Sequence, residues 1–190
     1  MTPRNTAAAG VAVVVLAVAG LGMQPSRDSP DLAGRWLPAL PQQPPAPLVS
    51  EGPDAELKGL SQLGVVVEDL SSQAAACGLS RAPLEAAVLK SLSDAGLKAL
   101  RNADEDTYVY VHVMTTSAST ALCVSRYDVF LYTNTTATLS YQAKPLLVQV
   151  SLLHKGGLAG GAPGSHGDAV LKGVKQYVDE FAARIRAVNR

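Results

Sequence analysis

From Thr107 to Met114, Tyr108, Tyr110, His112 and Met114 alternate with Val109, Val111 and Val113. A two-residue period is that of a half-buried strand, one face covered and the other wet. Leu122 to Tyr132 repeats the texture and carries it toward Tyr141. Leu146 to Leu153 resumes it after the break at Lys144-Pro145. The small polar residues Thr115 to Thr120 predict a turn, and strands that follow one another through short turns pair antiparallel. Upstream, Gly64 to Leu70 (GVVVEDL) reads as a short strand covered on both faces, with Glu68-Asp69 at its solvated end.

Two segments change period. Ser80 can cap a helix that tolerates Pro83 in its first turn. Leu79 and Leu84 flank the cap as a hydrophobic staple. Leu84, Val88, Leu92 and Ala95 form one stripe, and Gly96 supplies the left-handed stop. A second, longer helix is predicted from about Asp168 to Val188, its stripe being Val170, Val174, Val178, Phe181, Ile185 and Val188. The order β-α-β-β-β-α predicts an α+β two-layer sandwich over residues 60–190, a mostly antiparallel sheet with two helices on one face. The first strand, joined to the rest through a helix, is open to a parallel placement. The glycine-rich run from Gly156 to Gly167 is predicted as a turn-forming connection. It carries neither GxxxxGK[ST] nor GxGxxG, so a phosphate-binding loop has no motif behind it. Asp104-Glu105-Asp106 is predicted as a solvated acidic loop.

The first fifty residues have a different texture. One positive charge, Arg4, precedes an uncharged apolar run from Ala7 to Gly22 with small residues at its end. Residues 1–22 therefore read as a signal peptide or membrane anchor, and the run is shorter than the roughly 20 apolar residues of a spanning helix. Of the 12 prolines, eight fall between Pro25 and Pro53. Residues 23–59 are thus expected to be a Pro-rich spacer, extended because proline fixes φ and removes amide donors. Trp36 lies within it.

Lys plus Arg and Asp plus Glu are equal at 16 each, which gives no electrostatic basis for nucleic-acid binding. Membrane contact is expected only through the N-terminal segment. The two cysteines, Cys77 and Cys123, make no metal pattern. Separate burial as small apolar thiols is the favoured reading, and a disulfide between them stays open if the chain is exported. His112, His154 and His166 share no ligand spacing such as HExxH, and no GxSxG elbow accompanies them. His112 is expected as a packing residue, His154 at a strand end and His166 in the glycine loop. No metal, no cofactor and no catalytic residue is predicted, and the ligand-binding residues are unknown. Asn134-Thr135-Thr136 matches the glycosylation sequon, which in a eukaryotic protein would mark an exposed loop.

The run GVVVEDL, the helix LxxAVLKSLSDAGLKAL, the strand TYVYVHV and the ending YVDEFAARIRAVN resemble a set of uncharacterised, signal-bearing bacterial envelope proteins over about residues 60–190. That resemblance implies no assigned activity. The element order is also distantly similar in topology to the lipopolysaccharide-assembly lipoprotein that plugs an outer-membrane barrel. This chain lacks that protein's lipidated cysteine. The expectation is a non-catalytic exported binding or scaffold protein of the periplasm or cell envelope, with an envelope protein as partner and contacts through sheet edges or the glycine loop. One alternative is a periplasmic carrier of a small ligand or lipid, motivated by Tyr108, Tyr110, Tyr127 and Phe130. Another is a hydrolase built on one of the three histidines.

Overall fold

The computed structural model describes residues 52–101 and 104–190. The leader, Trp36 and most of the Pro-rich spacer lie outside the described residues. A 3-10 turn, Ala55–Leu57, leads into β1 (Gln62–Val67). Then come α1 (Ser72–Ala76), α2 (Arg81–Asp94), β2 (Lys98–Leu100), β3 (Thr107–Ser119), β4 (Leu122–Ala137), β5 (Leu146–Gly161) and α3 (Pro163–Val188). The sheet order is β2-β1-β3-β4-β5. β1 runs parallel to both β2 and β3, whereas β3–β4 and β4–β5 are antiparallel. The α+β sandwich is therefore present, with a mixed sheet and a parallel edge that the alternation alone did not resolve.

Strand parity sorts the side chains into two layers. Leu63, Val65 and Val67 of β1, Val109, Val111 and Val113 of β3, and Tyr127, Val129 and Leu131 of β4 point to one side and are buried there. They meet the stripe Leu84, Val88 and Leu92 of α2 and Val170, Val174, Val178, Phe181 and Ile185 of α3. Both helices thus lie against one face, as their periodicity requires. Gly96 takes φ 83° just past α2, the left-handed stop that only glycine adopts without strain. Ser80 occupies the cap position, but its side chain makes no capping bond. Leu79 and Leu84 are both buried around it.

Several expectations are corrected. α1 was not anticipated: at Ser72–Ala76 it is too short for a periodic signal, and Ser71 caps it by accepting from the Ala74 amide at 3.2 Å. Thr115 to Ser119, read as a turn, continue β3, and the reversal is confined to the residues before Leu122. The glycine run is no loop, because β5 continues through it to Gly161 and α3 opens at Pro163. The spacer ends earlier than residue 59: Leu57 is fully buried, and Asp54 forms an ion pair with Arg184 of α3. Asn189 completes that clasp. Its Oδ1 accepts from the Gly59 amide at 2.6 Å while its Nδ2 donates to the Leu57 and Ile185 carbonyls at 2.9 and 2.7 Å.

Packing explains two of the glycines of β5, Gly156 and Gly157. Tyr127 leans from β4 across β5 toward α3. A Cβ at Gly157 would lie 2.6 Å from its ring, and one at Gly173 of α3 would overlap its hydroxyl. On the opposite face a Cβ at Gly156 would lie 2.5 Å from an Asp128 carboxylate oxygen. Glycine here makes room for two neighbours, one on each face, within regular strand.

Cys77, the residue closing α1, and Cys123 of β4 are joined by a disulfide with Cα atoms 6.0 Å apart. They are not the separate buried thiols favoured from sequence. The bond ties the α1–α2 turn to the sheet, and nearby Gly78 and Gly167 let that turn press on the start of α3. A Cβ at Gly78 would sit 2.8 Å from the Pro163 carbonyl oxygen.

Candidate functional site

The helices cover one face of the sheet only. On the other, residues of β3, β4 and β5 line up in rows set by the register: Tyr108–Tyr132–Ser151, Tyr110–Phe130–His154, His112–Asp128–Gly156 and Met114–Arg126–Leu158. The first two rows are aromatic. Phe130 stacks on Tyr132 at 4.9 Å between centroids and on His154 at 4.2 Å, with interplanar angles of 9° and 11°. Tyr108 and Tyr110 tilt against Tyr132 at 5.9 and 6.0 Å. Rings from residues 130 and 132 of one strand can stack only by standing upright, so this pair presents ring edges outward, while Tyr108 and Tyr110 tilt beside it, the Tyr108 hydroxyl accepting from Gln149 and the Tyr110 hydroxyl donating to Glu68. The Tyr108, Tyr110, Phe130 and Tyr132 rings are half-buried by their neighbours, and His154 is exposed.

Beside the column lies a polar notch. Gly156 contributes no side chain, and Asp128 fills the space, only 5% exposed. Its carboxylate accepts from Arg126 Nε and a second guanidinium nitrogen at 2.9 and 3.2 Å, and pairs with His154 Nε2 at 3.0 Å. Burial pushes the Asp128 carboxyl up, but the Arg126 and His154 hydrogen bonds outweigh it and hold the group below the usual carboxylate range. Arg126, His154, Gly156, Gly157 and Leu158 border an open groove of about 440 Å³ at this point. Across β3, Glu68 accepts from the Tyr110 hydroxyl at 2.6 Å and faces His112 at 3.3 Å. The Glu68 bond pushes the Tyr110 hydroxyl up to about 12, so it stays protonated and donating at neutral pH. Met114 and Leu158 rim the face at 61% and 76% exposure.

The three histidines do not converge. His112 and His154 stand on the open face in separate polar groups, and His154 lies within β5 rather than at a strand end. His166 lies in the first turns of α3, fully buried on the other face. Its Nε2 is 2.7 Å from Ser125 Oγ, which lies 2.7 Å from Thr115 Oγ1. Its Nδ1 has no partner among the described residues. Parity therefore divides the pieces of a Ser–His–Asp relay: Ser125 meets His166 without a carboxylate, and Asp128, three positions on, meets His154 from the opposite face. Among the described residues no group of His, Cys, Asp and Glu has the arrangement of a metal site, and no helix is long and apolar enough to cross a membrane.

The residues behind the carrier reading are also divided. Tyr108, Tyr110 and Phe130 stand on the open face, whereas Tyr127 points into the helix layer beside Tyr177. Between the layers the space is filled by the apolar core. Sequence reasoning missed Asp128, Arg126 and His154 as a group because they come together through register between strands. The signal available was that Arg126, Asp128, Phe130 and Tyr132 share one parity. Asn134 to Thr136 lie in β4, not in a loop.

No protein-family model matches the chain, and no curated protein sequence matches it. Among solved structures it is similar to a minor lipoprotein from Acinetobacter baumannii, at 8% identity over 67% of this chain and 92% of that one, with a TM-score of 0.34. Likeness at that level carries no argument, so function is read from this chain's own side chains.

Proposed function

We propose that this domain is a non-catalytic binding module of the bacterial cell envelope, exported through residues 1–22, which engages a protein partner on the open face of β3, β4 and β5. The observation that carries the reading is the uncovered aromatic column with its Met114–Arg126–Leu158 rim. Tyr, Phe, Met and Arg are the residues that protein interfaces concentrate. Upright rings offer edges and hydroxyls suited to the mixed polar and apolar surface of a protein, while flat stacking on a sugar or base requires exposed ring faces. The filled interlayer space speaks against a carrier, and the division of Ser125–His166 from Asp128–His154 speaks against a hydrolase. The Cys77–Cys123 bond supports export, since disulfides persist in oxidising compartments.

The test is a photo-reactive residue placed at Met114 in the native host, with Lys172 on the solvent side of α3 as control. One discrete protein adduct from position 114 and none from 172 is the expected result. Equal labelling from both, or adducts only to lipid or glycan, overturns the reading.

A further inference from the structure

β4 and β5 outrun the rest of the sheet. β3 begins at Thr107, which pairs with Thr133, whereas β4 and β5 stay paired as far as Ala137 and Leu146. The two strands therefore project as an arm. Residues 138–145 close it, and the Gln142 amide donates to the Leu139 carbonyl at 2.9 Å across the turn. The outer end is apolar on both faces. Tyr141 in the turn and Leu147 on β5 are 79% and 77% exposed. By strand parity Leu146 and Val150 lie on the helix side of the arm and Leu147 on the open side, and all three are exposed. The charge is as one-sided. No Asp or Glu occurs from residue 129 to residue 167, and Lys144 is the one Lys or Arg from residue 129 to residue 153.

We infer that the tip of this arm, from Leu139 to Leu147, docks end-on in the headgroup layer of a phospholipid bilayer. This is a membrane contact beyond the one expected through residues 1–22. Three observations select lipid over a protein. Leu146 and Leu147 stand at one level of the arm on opposite faces, so a partner lying on either face leaves the other in water, whereas a fluid layer covers both. The composition is that of a bilayer interface. A tyrosine ring sits at headgroup level, a lysine stem lies along apolar surface while its ammonium reaches phosphate, and no carboxylate on the tip meets anionic lipid. The depth is bounded as well. The acidic loop Asp104-Glu105-Asp106 stands at the foot of the arm, where the Asp106 carbonyl accepts from the Asn134 amide at 2.7 Å. From Asn134 to Ala137 the strand rises about 10 Å. The tip can thus enter by about the thickness of the headgroup layer before those carboxylates arrive. Water in that layer also serves the edge amides of the arm, which hydrocarbon would leave unmet.

The test puts a fluorescent non-natural residue at Gln142 of the full chain, with Lys172 on the solvent side of α3 as the control position. Vesicles of phosphatidylcholine and phosphatidylglycerol, in a ratio of about 7:3, carry a nitroxide quencher just below the headgroups. Quenching at position 142 should be at least fivefold stronger than at position 172. The variant Tyr141→Ser/Leu147→Glu should cut it at least fivefold. No quenching at 142 overturns the proposal, and it is the result expected if a protein clasps the tip instead. Equal quenching at 142 and 172, which tethering by residues 1–22 alone would give, also overturns it, as does quenching that the folded double variant leaves unchanged. The comparison of the two positions keeps Tyr141 and Leu147 in place, so it decides the matter even if the double variant fails to fold. Met114 lies at the other end of β3, paired with Arg126, so this proposal and the open-face reading fail separately.

Discussion

Tyr127 shows how one side chain sets the identity of others far away in sequence. Its ring occupies space that Gly157 and Gly173 leave open. Gly173→Ala should therefore cost about 1–3 kcal/mol by overpacking. The cost should shrink when Tyr127 is also replaced by Leu, a coupling that urea denaturation of the four proteins in the cycle would measure. His166 sets a pH dependence. Burial pushes its imidazole below the usual value of 6.5, so the folded state binds its proton less readily than the unfolded chain. Its contribution is fully present above about pH 6.5 and is lost as pH falls through the lower folded value. Unfolding free energies measured between pH 7.5 and 5 should fall on acidification, and His166→Leu should flatten the slope across that window. The Asp128 carboxyl, held low by Arg126 and His154, loses its contribution only at more acidic pH, so the two groups separate on the pH axis.

At the scale of elements, what was legible and what was not divides along a physical line. Local patterns sufficed for α2, α3 and the alternation of β3, because burial on one face writes a period into the residues, whereas β1, read as covered on both faces, has the helices on one face only. The glycines of β5 defeated that logic. The reason for Gly156 and Gly157 lies in the neighbours Asp128 and Tyr127, so the run from Gly156 reads as a turn-forming connection when it is paired strand through Gly161. α1 is too short to carry a period, and the grouping of Asp128 with His154 exists only once β4 and β5 are in register. The disulfide is the strongest case of a long-range link, spanning 46 residues. Closing a loop of that length restricts the unfolded chain by about 4 kcal/mol in the loop-entropy view. Reduction, or Cys77→Ala/Cys123→Ala, should lower stability by about 2–4 kcal/mol, read as a lower urea midpoint with a steeper slope, because the unfolded chain without the crosslink is less compact.

For the whole molecule, the clasp of Asp54 on Arg184 and of Asn189 on residues 57 and 59 brings the start of the folded unit to its last helix. Leu48–Arg190 form one unit. Residues 48–190 produced alone under oxidising conditions should unfold cooperatively, with a midpoint within about 2 °C of the full chain by circular dichroism. Export and the covalent bond are linked in the same experiment. In cells, deleting residues 1–22 should leave Cys77 and Cys123 open to alkylation, whereas the full chain should resist it until reduced.

β4 has hydrophobic or β-forming residues at both parities, from Leu122 to Ala137, so composition alone weakly opposes a slip of one position. Such a slip would exchange its two sides, sending Arg126 and Asp128 into the core and Tyr127 and Leu131 outward. Because Cys123 can reach Cys77 only from the helix layer, the crosslink works as a phase reference for the whole ribbon. It dictates which set of side chains the molecule shows to the world and which it keeps.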